Sequence, residues 1–151
     1  MSATATAEVI LEEPVEMPSF NASGGQVPEE AVVSYERDGV VCLRSAIAPE
    51  WIEALAQGMD IAIEQGTEND KAFSIANPGE PGFFFYDTFM WQRIDQFKRF
   101  AFESNAADLA MQVMRSKSLI FYFDFMLVKE PKTSMVTPWH YDESYWPISG
   151  D

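Results

Sequence analysis

The fold and the chemistry of this chain are both read most directly from the stretch TPWHYDESYWP, residues 137–147. Within it, a single residue separates His140 from Asp142. In a β-strand, residues i and i+2 point to the same face, and their Cα atoms lie roughly 6.5 Å apart. An imidazole nitrogen and a carboxylate oxygen can then converge on one metal ion, while Tyr141 points away. We therefore predict a strand over residues 139–145 that carries two metal ligands.

A His-x-Asp tripeptide is a weak signal by itself, because it occurs often by chance. Imidazole with carboxylate, in an octahedral field with open positions, is a donor set that redox-active iron(II) uses to bind a co-substrate and dioxygen. The competing interpretation of His140 is an ordinary surface or core histidine without a metal. The sequence on either side of the tripeptide has to decide between the two.

Composition and charge restrict the class of protein. The chain has 151 residues, a formal net charge of −14, 47% hydrophobic residues and 14% aromatic residues. An acidic surface repels phosphate backbones and anionic lipids, so we expect a small-molecule substrate rather than nucleic acid or a membrane as partner. Cys42 is the only cysteine, which excludes an intrachain disulfide. With no targeting or transmembrane pattern visible, the expected location is the cytoplasm; the oligomeric state is not readable.

The order of predicted elements places helices before strands. Residues 1–27 are acidic and rich in small residues, which predicts a disordered tail. Prolines and glycines predict a loop over residues 67–82. Hydrophobic periodicity predicts helices at 28–37, 49–65, 89–102 and 104–114. Shorter apolar runs predict strands at 40–43, 83–86 and 119–128.

A sheet that begins this late in the chain has few partner strands. We therefore expect residues 28–151 to be the N-terminal part of a domain whose C-terminal half is missing from this sequence.

With its flanks, the segment 137–147 resembles the metal-binding segment of the phytanoyl-CoA dioxygenase family. In that family a Thr/Pro-rich approach leads to Trp-His-x-Asp and then to an aromatic-Trp-Pro turn. The stretch YERDGVVCLR, residues 35–44, resembles the family's N-terminal signature when followed by Ala48-Pro49 and a helix. The strand that ends in VKEP, residues 128–131, agrees as well. The resemblance runs from about residue 30 to residue 150, in the family's order.

This resemblance implies an α+β fold, with N-terminal helices packed on a double-stranded β-helix (a jelly-roll or cupin-like core) that is incomplete in this chain. It implies an Fe(II)- and 2-oxoglutarate-dependent dioxygenase that hydroxylates an unactivated C–H bond of a small organic substrate. His140 and Asp142 match the first two iron ligands. The family's third ligand is a distal histidine, followed by an arginine that binds 2-oxoglutarate. His140 is the only histidine here, so neither residue can be assigned, and we expect these residues alone to be inactive.

Related halogenating enzymes replace the carboxylate ligand with a small residue, so the presence of Asp142 favours hydroxylation over halogenation. Two other hypotheses stay open. One is a non-catalytic binding member of the same jelly-roll family, and the other is a different metal cupin that uses His140 in another arrangement. A distal histidine with a following arginine would favour the enzyme.

Three aromatic residues are candidates for a substrate pocket, namely Trp139, Trp146 and Tyr86. Packing in a core or beside a turn is the competing interpretation for each of them. Asp124 is the one charge inside the strongest predicted strand, and a buried carboxylate needs a partner. It lies either behind a metal ligand or in an ion pair with an arginine, and the ion pair is the favoured interpretation.

Overall fold

The computed structural model describes residues 17–66 and 72–142. It contains four α-helices and five strands in these residues, with a 3-10 turn at Met90–Gln92 between β4 and α3. The helices are α1 (Glu29–Asp38), α2 (Pro49–Gln65), α3 (Asp95–Glu103) and α4 (Ala106–Val113). The strands are β1 (Ser19–Asn21), β2 (Cys42–Arg44), β3 (Phe73–Ile75), β4 (Phe84–Thr88) and β5 (Phe125–Lys129). The mixture of helix and sheet confirms the α+β class.

The chain divides into two compact units, of which the first comprises residues 1–53 and 99–121. Its helix α1 ends at Gly39, whose left-handed backbone (φ 73°) lets its N–H donate to the Tyr35 carbonyl at 2.8 Å. The buried apolar side chains of this unit lie on α1, on α4 and just after β1: Ala31, Val32, Leu109, Val113 and Ala22. The predicted helix at 28–37 is therefore confirmed, with its apolar face inward.

The prediction of a disordered tail over residues 1–27 is wrong for residues 19–27. Residues 19–21 form β1, which pairs in parallel with β2 in the register Phe20↔Leu43. The Gln112 side-chain amide then holds the backbone that follows, because it accepts from Val27 N at 3.0 Å and donates to the Gly25 carbonyl at 2.8 Å. These long-range bonds give the segment an order that its composition does not predict. Residues 1–16 lie outside the described part of the chain.

The second unit comprises residues 54–98 and 122–151. Within its described residues, β3, β4 and β5 form an antiparallel sheet in that order. Alternation along β4 buries Phe85 and Asp87 on one face of the sheet. Phe85 packs there against Ala62, Met90 and Ile94, which form the buried cluster of this unit. Burial of these apolar side chains stabilises the packing of the sheet against α2, the helix that carries Ala62.

The opposite face of this sheet is aromatic and largely exposed. Cross-strand pairing places Phe73 beside Tyr86 and Tyr86 beside Leu127. Ring centroids lie 5.3 Å apart for Tyr86 and Phe73, and 5.8 Å apart for Tyr86 and Phe125. Phe73, Phe125 and Leu127 are each about half exposed, at 45%, 48% and 51%. We call this surface the aromatic face; its members are Phe73, Phe84, Tyr86, Phe125 and Leu127.

The strand predicted over residues 119–128 is shorter and later than expected. Only Phe125–Lys129 pairs, because β4 offers just five residues and ends where Phe89 takes a left-handed conformation (φ 56°). Ile120, upstream of the paired part, is 94% exposed. A run rich in β-forming residues becomes a strand only where a neighbouring strand is present to pair with it.

Two other boundaries differ from the prediction. The helix predicted over 89–102 begins only at Asp95, since Phe89 and the 3-10 turn precede it. The predicted loop over 67–82 contains β3, while residues 67–71 lie outside the described part. The predicted helix that opens at Pro49 is confirmed, and Gly66 follows its end with a positive φ of 56°.

The strand predicted over residues 139–145 is wrong for residues 139–142, which belong to no strand, and residues 143–145 are not described. The double-stranded β-helix stays a prediction, since the described sheets have two and three strands. Among the described residues, no helix combines the length and the apolar character that crossing a bilayer requires.

Candidate metal centre

The segment that carries His140 leaves the antiparallel sheet at the end of β5. Glu130 N donates to the Phe83 carbonyl at 2.9 Å, which extends the pairing of β4 with β5 by one residue. The chain then turns at Lys132, whose φ is 69°. From there it runs without helix or strand to His140. The approach to the candidate site is thus tied to the sheet at one end.

The imidazole of His140 is held by its own backbone. Its Nδ1 lies 2.8 Å from the carbonyl oxygen of Pro138. A carbonyl oxygen only accepts hydrogen bonds, so this contact requires Nδ1 to carry a proton. In the neutral ring Nε2 then keeps its lone pair, and a lone pair on Nε2 is what a metal ligand needs. A histidine whose other nitrogen donates to a carbonyl is the usual arrangement around protein-bound metals.

The second donor lies directly in front of that nitrogen. His140 Nε2 is 3.2 Å from Asp142 Oδ1, and the two side chains are 39% and 76% exposed. With Nδ1 protonated and the ring neutral, two acceptors face one another across this gap. Such an arrangement is favourable only when a proton or a cation lies between or beside them. The competing interpretation of this contact is an exposed imidazolium–carboxylate ion pair, which contributes little to stability.

The measured separation fits a shared ion. Two donor atoms that are each about 2.1 Å from one ion and at right angles to each other lie about 3.0 Å apart. The 3.2 Å between Nε2 and Oδ1 is close to that value. Nitrogen with anionic oxygen also suits iron(II) in an open octahedral field. In the described part of the chain no cluster gathers three or more histidine, cysteine or acidic side chains, so the described donor set is this pair.

The three candidate pocket residues occupy different environments. Trp139 is fully exposed, at 104% of its reference area. Tyr86 lies at the centre of the aromatic face, between Phe73 and Phe125. Trp146 lies outside the described residues. Trp139 is therefore not packed in a core, which was the competing interpretation for each of the three residues, and its full exposure does not place it in a pocket either.

The favoured interpretation of Asp124 is wrong, because among the described residues it forms no ion pair. Its Oδ2 accepts a hydrogen bond from the backbone N–H of Trp91 at 2.8 Å, and its backbone carbonyl accepts from Phe89 N at 3.1 Å. Asp124 therefore fastens the left-handed turn and the 3-10 turn between β4 and α3. Its Oδ1 is buried without a hydrogen-bond partner. Burial is the main cause that raises the pKa of Asp124, and the nearby Asp87 carboxylate adds to it.

An arginine of this unit pairs with a carboxylate other than Asp124. Arg93 Nη2 lies 2.5 Å from Asp87 Oδ2, and the Asp87 side chain is completely buried. Thr88 N also donates to Asp87 Oδ1, at 2.7 Å, and Arg93 donates to Gln65 Oε1 at 2.9 Å. The sequence analysis missed this pair. The signal was available, since Asp87 is the single charge in the aromatic run FFFYDTF, residues 83–89.

A comparison with known protein families identifies the family of this chain. The sequence model of the phytanoyl-CoA dioxygenase family matches residues 35–150, which is most of the chain and includes His140 and Asp142. The chain therefore belongs to the phytanoyl-CoA dioxygenase family, a family of oxygenases. No curated protein matches the chain, and no solved structure matches it either.

The raised pKa of Asp124 gives a prediction for the dependence of stability on pH. A carboxyl whose pKa is raised by folding holds its proton in the folded state when the unfolded chain has already lost it. The contribution of Asp124 to the free energy of unfolding should therefore fall as the pH rises from about 4, the ordinary pKa of aspartate, through the raised pKa. Asp124→Asn, which keeps a side-chain oxygen for Trp91, should flatten this slope when urea unfolding is followed across the range.

The matched control is Asp108→Asn, which changes an exposed aspartate on α4. It should keep the slope of the unchanged chain. Equal slopes in Asp124→Asn and in the unchanged chain would show that Asp124 is not the group responsible.

Proposed function

We propose that this protein is an Fe(II)- and 2-oxoglutarate-dependent dioxygenase that hydroxylates a C–H bond of a small organic substrate. His140 and Asp142 are the two metal ligands that this chain supplies. The single observation that carries the proposal is the approach of His140 Nε2 to Asp142 Oδ1, at 3.2 Å, with Nδ1 turned to the Pro138 carbonyl. Family membership supports the oxygenase class, and the geometry supports the choice of residues.

Each of these residues has a defined part in the proposal. The Pro138 carbonyl selects the tautomer of His140 and fixes the plane of its ring. Asp142 brings a negative charge that offsets part of the charge of the ion. Both side chains are exposed in the described part of the chain, so co-substrate and dioxygen have access to the same ion. Bound iron would supply the activation of dioxygen, coupled to oxidative decarboxylation of 2-oxoglutarate.

The carboxylate at position 142 also bears on the reaction type. A halogenating relative needs an open position where the carboxylate stands, and here Asp142 points at Nε2 of His140. Hydroxylation is therefore the oxidation we propose. The distal histidine and the 2-oxoglutarate-binding arginine of the family have no assigned counterpart in this sequence, whose only histidine is His140.

Metal binding tests the proposal directly. Cobalt(II), which has an absorption spectrum in such sites, should bind the protein in the presence of 2-oxoglutarate. His140→Ala and Asp142→Ala should each weaken this binding by at least about tenfold, because each removes one of the two described donors. The measurement is a spectroscopic titration without oxygen.

Tyr141→Phe is the control, because it changes the residue between the ligands without removing a donor of the proposed pair. It should bind cobalt as the unchanged protein does. Binding that is indifferent to both alanine variants would refute the proposed site. Binding that depends on both residues would support them as the ligands, and 2-oxoglutarate turnover by a protein that also carries the family's distal histidine and arginine would favour the enzyme over the non-catalytic member.

We also propose that the aromatic face contributes to substrate binding, with Tyr86 at its centre. An exposed surface built of Phe73, Tyr86 and Phe125 suits an apolar group, since each ring offers a flat area that water solvates poorly. Lys129, at the β5 end of the same face, has its Nζ 5.8 Å from the Phe84 ring centroid. The preferred substrate would accordingly combine an apolar body with an anionic group.

An anionic naphthalene dye whose fluorescence rises in apolar surroundings is a probe of this surface. Tyr86→Ser should reduce the rise in fluorescence at least about twofold, because it removes the central ring of the cluster. Tyr86→Phe keeps the ring and should behave like the unchanged protein. A fluorescence rise that is the same in all three proteins would exclude the aromatic face as the apolar surface that binds the dye.

A further inference from the structure

A polar clamp holds the beginning of the segment that leads to His140. The Glu80 carboxylate oxygen Oε2 accepts from the backbone N–H of Ser134 at 2.9 Å and from Asn77 Nδ2 at 3.2 Å. The same Asn77 amide donates to Ser134 Oγ at 3.0 Å. Two side chains from the loop before β4 thus converge on one residue of the connection after β5. We call Asn77, Glu80 and Ser134 the loop clamp.

The loop that carries Asn77 and Glu80 contains a tight turn that its sequence specifies. Asn77-Pro78-Gly79-Glu80 forms a turn in which Glu80 N donates to the Asn77 carbonyl at 3.1 Å. Proline at the second position and glycine with φ 83° at the third are the signature of a type II turn. Asn77 and Glu80, the first and last residues of the turn, therefore keep a fixed spacing. The clamp is presented by a preformed structure.

The backbone on both sides of the clamp is also fixed. A Cβ added to the buried Gly82 would collide with the Pro131 carbonyl oxygen and would lie 2.9 Å from Thr133 N. Loop and connection are thus in direct backbone contact. The hydrogen bond from Glu130 N to the Phe83 carbonyl follows at once along the chain. The connection from Glu130 to Ser134 is therefore held from the sheet as far as the clamp.

The bond from Ser134 N to Glu80 gains strength from the charge of the carboxylate. The Ser134 hydroxyl, the Ser134 backbone N–H and the Asn77 amide together lower the pKa of Glu80, so the carboxylate is ionised at neutral pH. Hydrogen bonds to an ionised acceptor are roughly twice as strong as those between neutral groups. A negative side chain that ends on a backbone N–H is better suited to fixing a chain position than to attracting a ligand.

We propose that Glu80, supported by Asn77, is a positioning residue for the iron-binding segment. By holding Ser134 it fixes the point from which the chain runs six residues to His140 and eight residues to Asp142. Six residues span at most about 20 Å, so the direction in which the chain leaves Ser134 restricts where the ligand pair can lie. Small errors in ligand placement are costly because a metal site works within narrow geometric limits. This inference rests on the proposed function for the identity of the ligands.

Three variants test the clamp. Glu80→Ala removes the acceptor of the Ser134 N–H, whereas Glu80→Gln keeps an oxygen that can still accept it. Glu103→Ala is the control, because it removes an exposed carboxylate that pairs with Arg99 within α3. Cobalt(II) affinity in the presence of 2-oxoglutarate, hydrogen–deuterium exchange of residues 134–142 and the midpoint of thermal unfolding are measured for each.

Glu80→Ala should weaken cobalt binding about tenfold, the lower end of what outer partners of a metal site contribute. It should also speed amide exchange within residues 134–142, while Glu80→Gln stays between it and the unchanged protein. Glu103→Ala should change neither. Affinity and exchange in Glu80→Ala equal to those of the unchanged protein would overturn the proposal.

Two further outcomes separate the possible failures. If cobalt binding in the unchanged protein does not depend on His140, the proposed function fails, and faster exchange in Glu80→Ala still reports on the clamp itself. If Glu80→Ala lowers the unfolding midpoint more than Glu103→Ala does, Glu80→Gln and Asn77→Ala replace it as the test. Cobalt affinity unchanged in both of these milder variants would also overturn the proposal.

Discussion

The candidate metal centre depends on the hydrogen bond between His140 Nδ1 and the Pro138 carbonyl. It gives the neutral imidazole a lone pair on Nε2, and Asp142 Oδ1 lies 3.2 Å from that lone pair. In the neutral imidazole this bond leaves two acceptors facing one another, an arrangement that a cation stabilises. In the imidazolium the same two side chains form an exposed ion pair. The sheet, the turn and the loop clamp hold the beginning of the chain segment that leads to this bond.

In the second unit, hydrogen bonds connect the antiparallel sheet to the segment that leads to His140. The β4–β5 pairing extends through Phe83 and Glu130, and the loop clamp then takes hold of Ser134. The buried face of the sheet is stabilised by apolar packing, and Asp87 on that face pairs with Arg93. The other face leaves aromatic rings in solvent. The sheet thus has one packed face and one open aromatic face.

The sequence was most informative where an element is specified by its own residues. Helices α1 and α2 follow from apolar spacing, from Pro49 and from Gly39, and all of these signals are local. The segment 119–128 was predicted as one long strand, but strand length depends on the partner, and β4 pairs with only part of it. Residues 19–27 were predicted as disordered because their composition is polar. Their order comes from the pairing of β1 with β2 and from Gln112, which lies 85 residues beyond Val27.

The same difference between local and long-range signals applies to the candidate site. His140 and Asp142 could be named from the sequence because a short motif and its flanks specify them. Their closeness does not need the strand that suggested it, since residues 139–142 bring the two donors together outside any strand. The partner of Asp124 could not be named, because which of two carboxylates receives Arg93 is decided by tertiary packing. Glu80 was missed for the same reason, since its bond to Ser134 spans 54 residues.

The most direct test of the central claim is nitrogen NMR of the imidazole, which is unambiguous because His140 is the only histidine in the sequence. Long-range proton–nitrogen correlation spectra would be recorded before and after addition of zinc(II), a diamagnetic substitute for iron. The account predicts a protonated Nδ1 throughout and a change in the chemical shift of Nε2 when zinc is added. A protonated Nε2 that zinc leaves unchanged, or a metal-dependent shift at Nδ1 in its place, would contradict it.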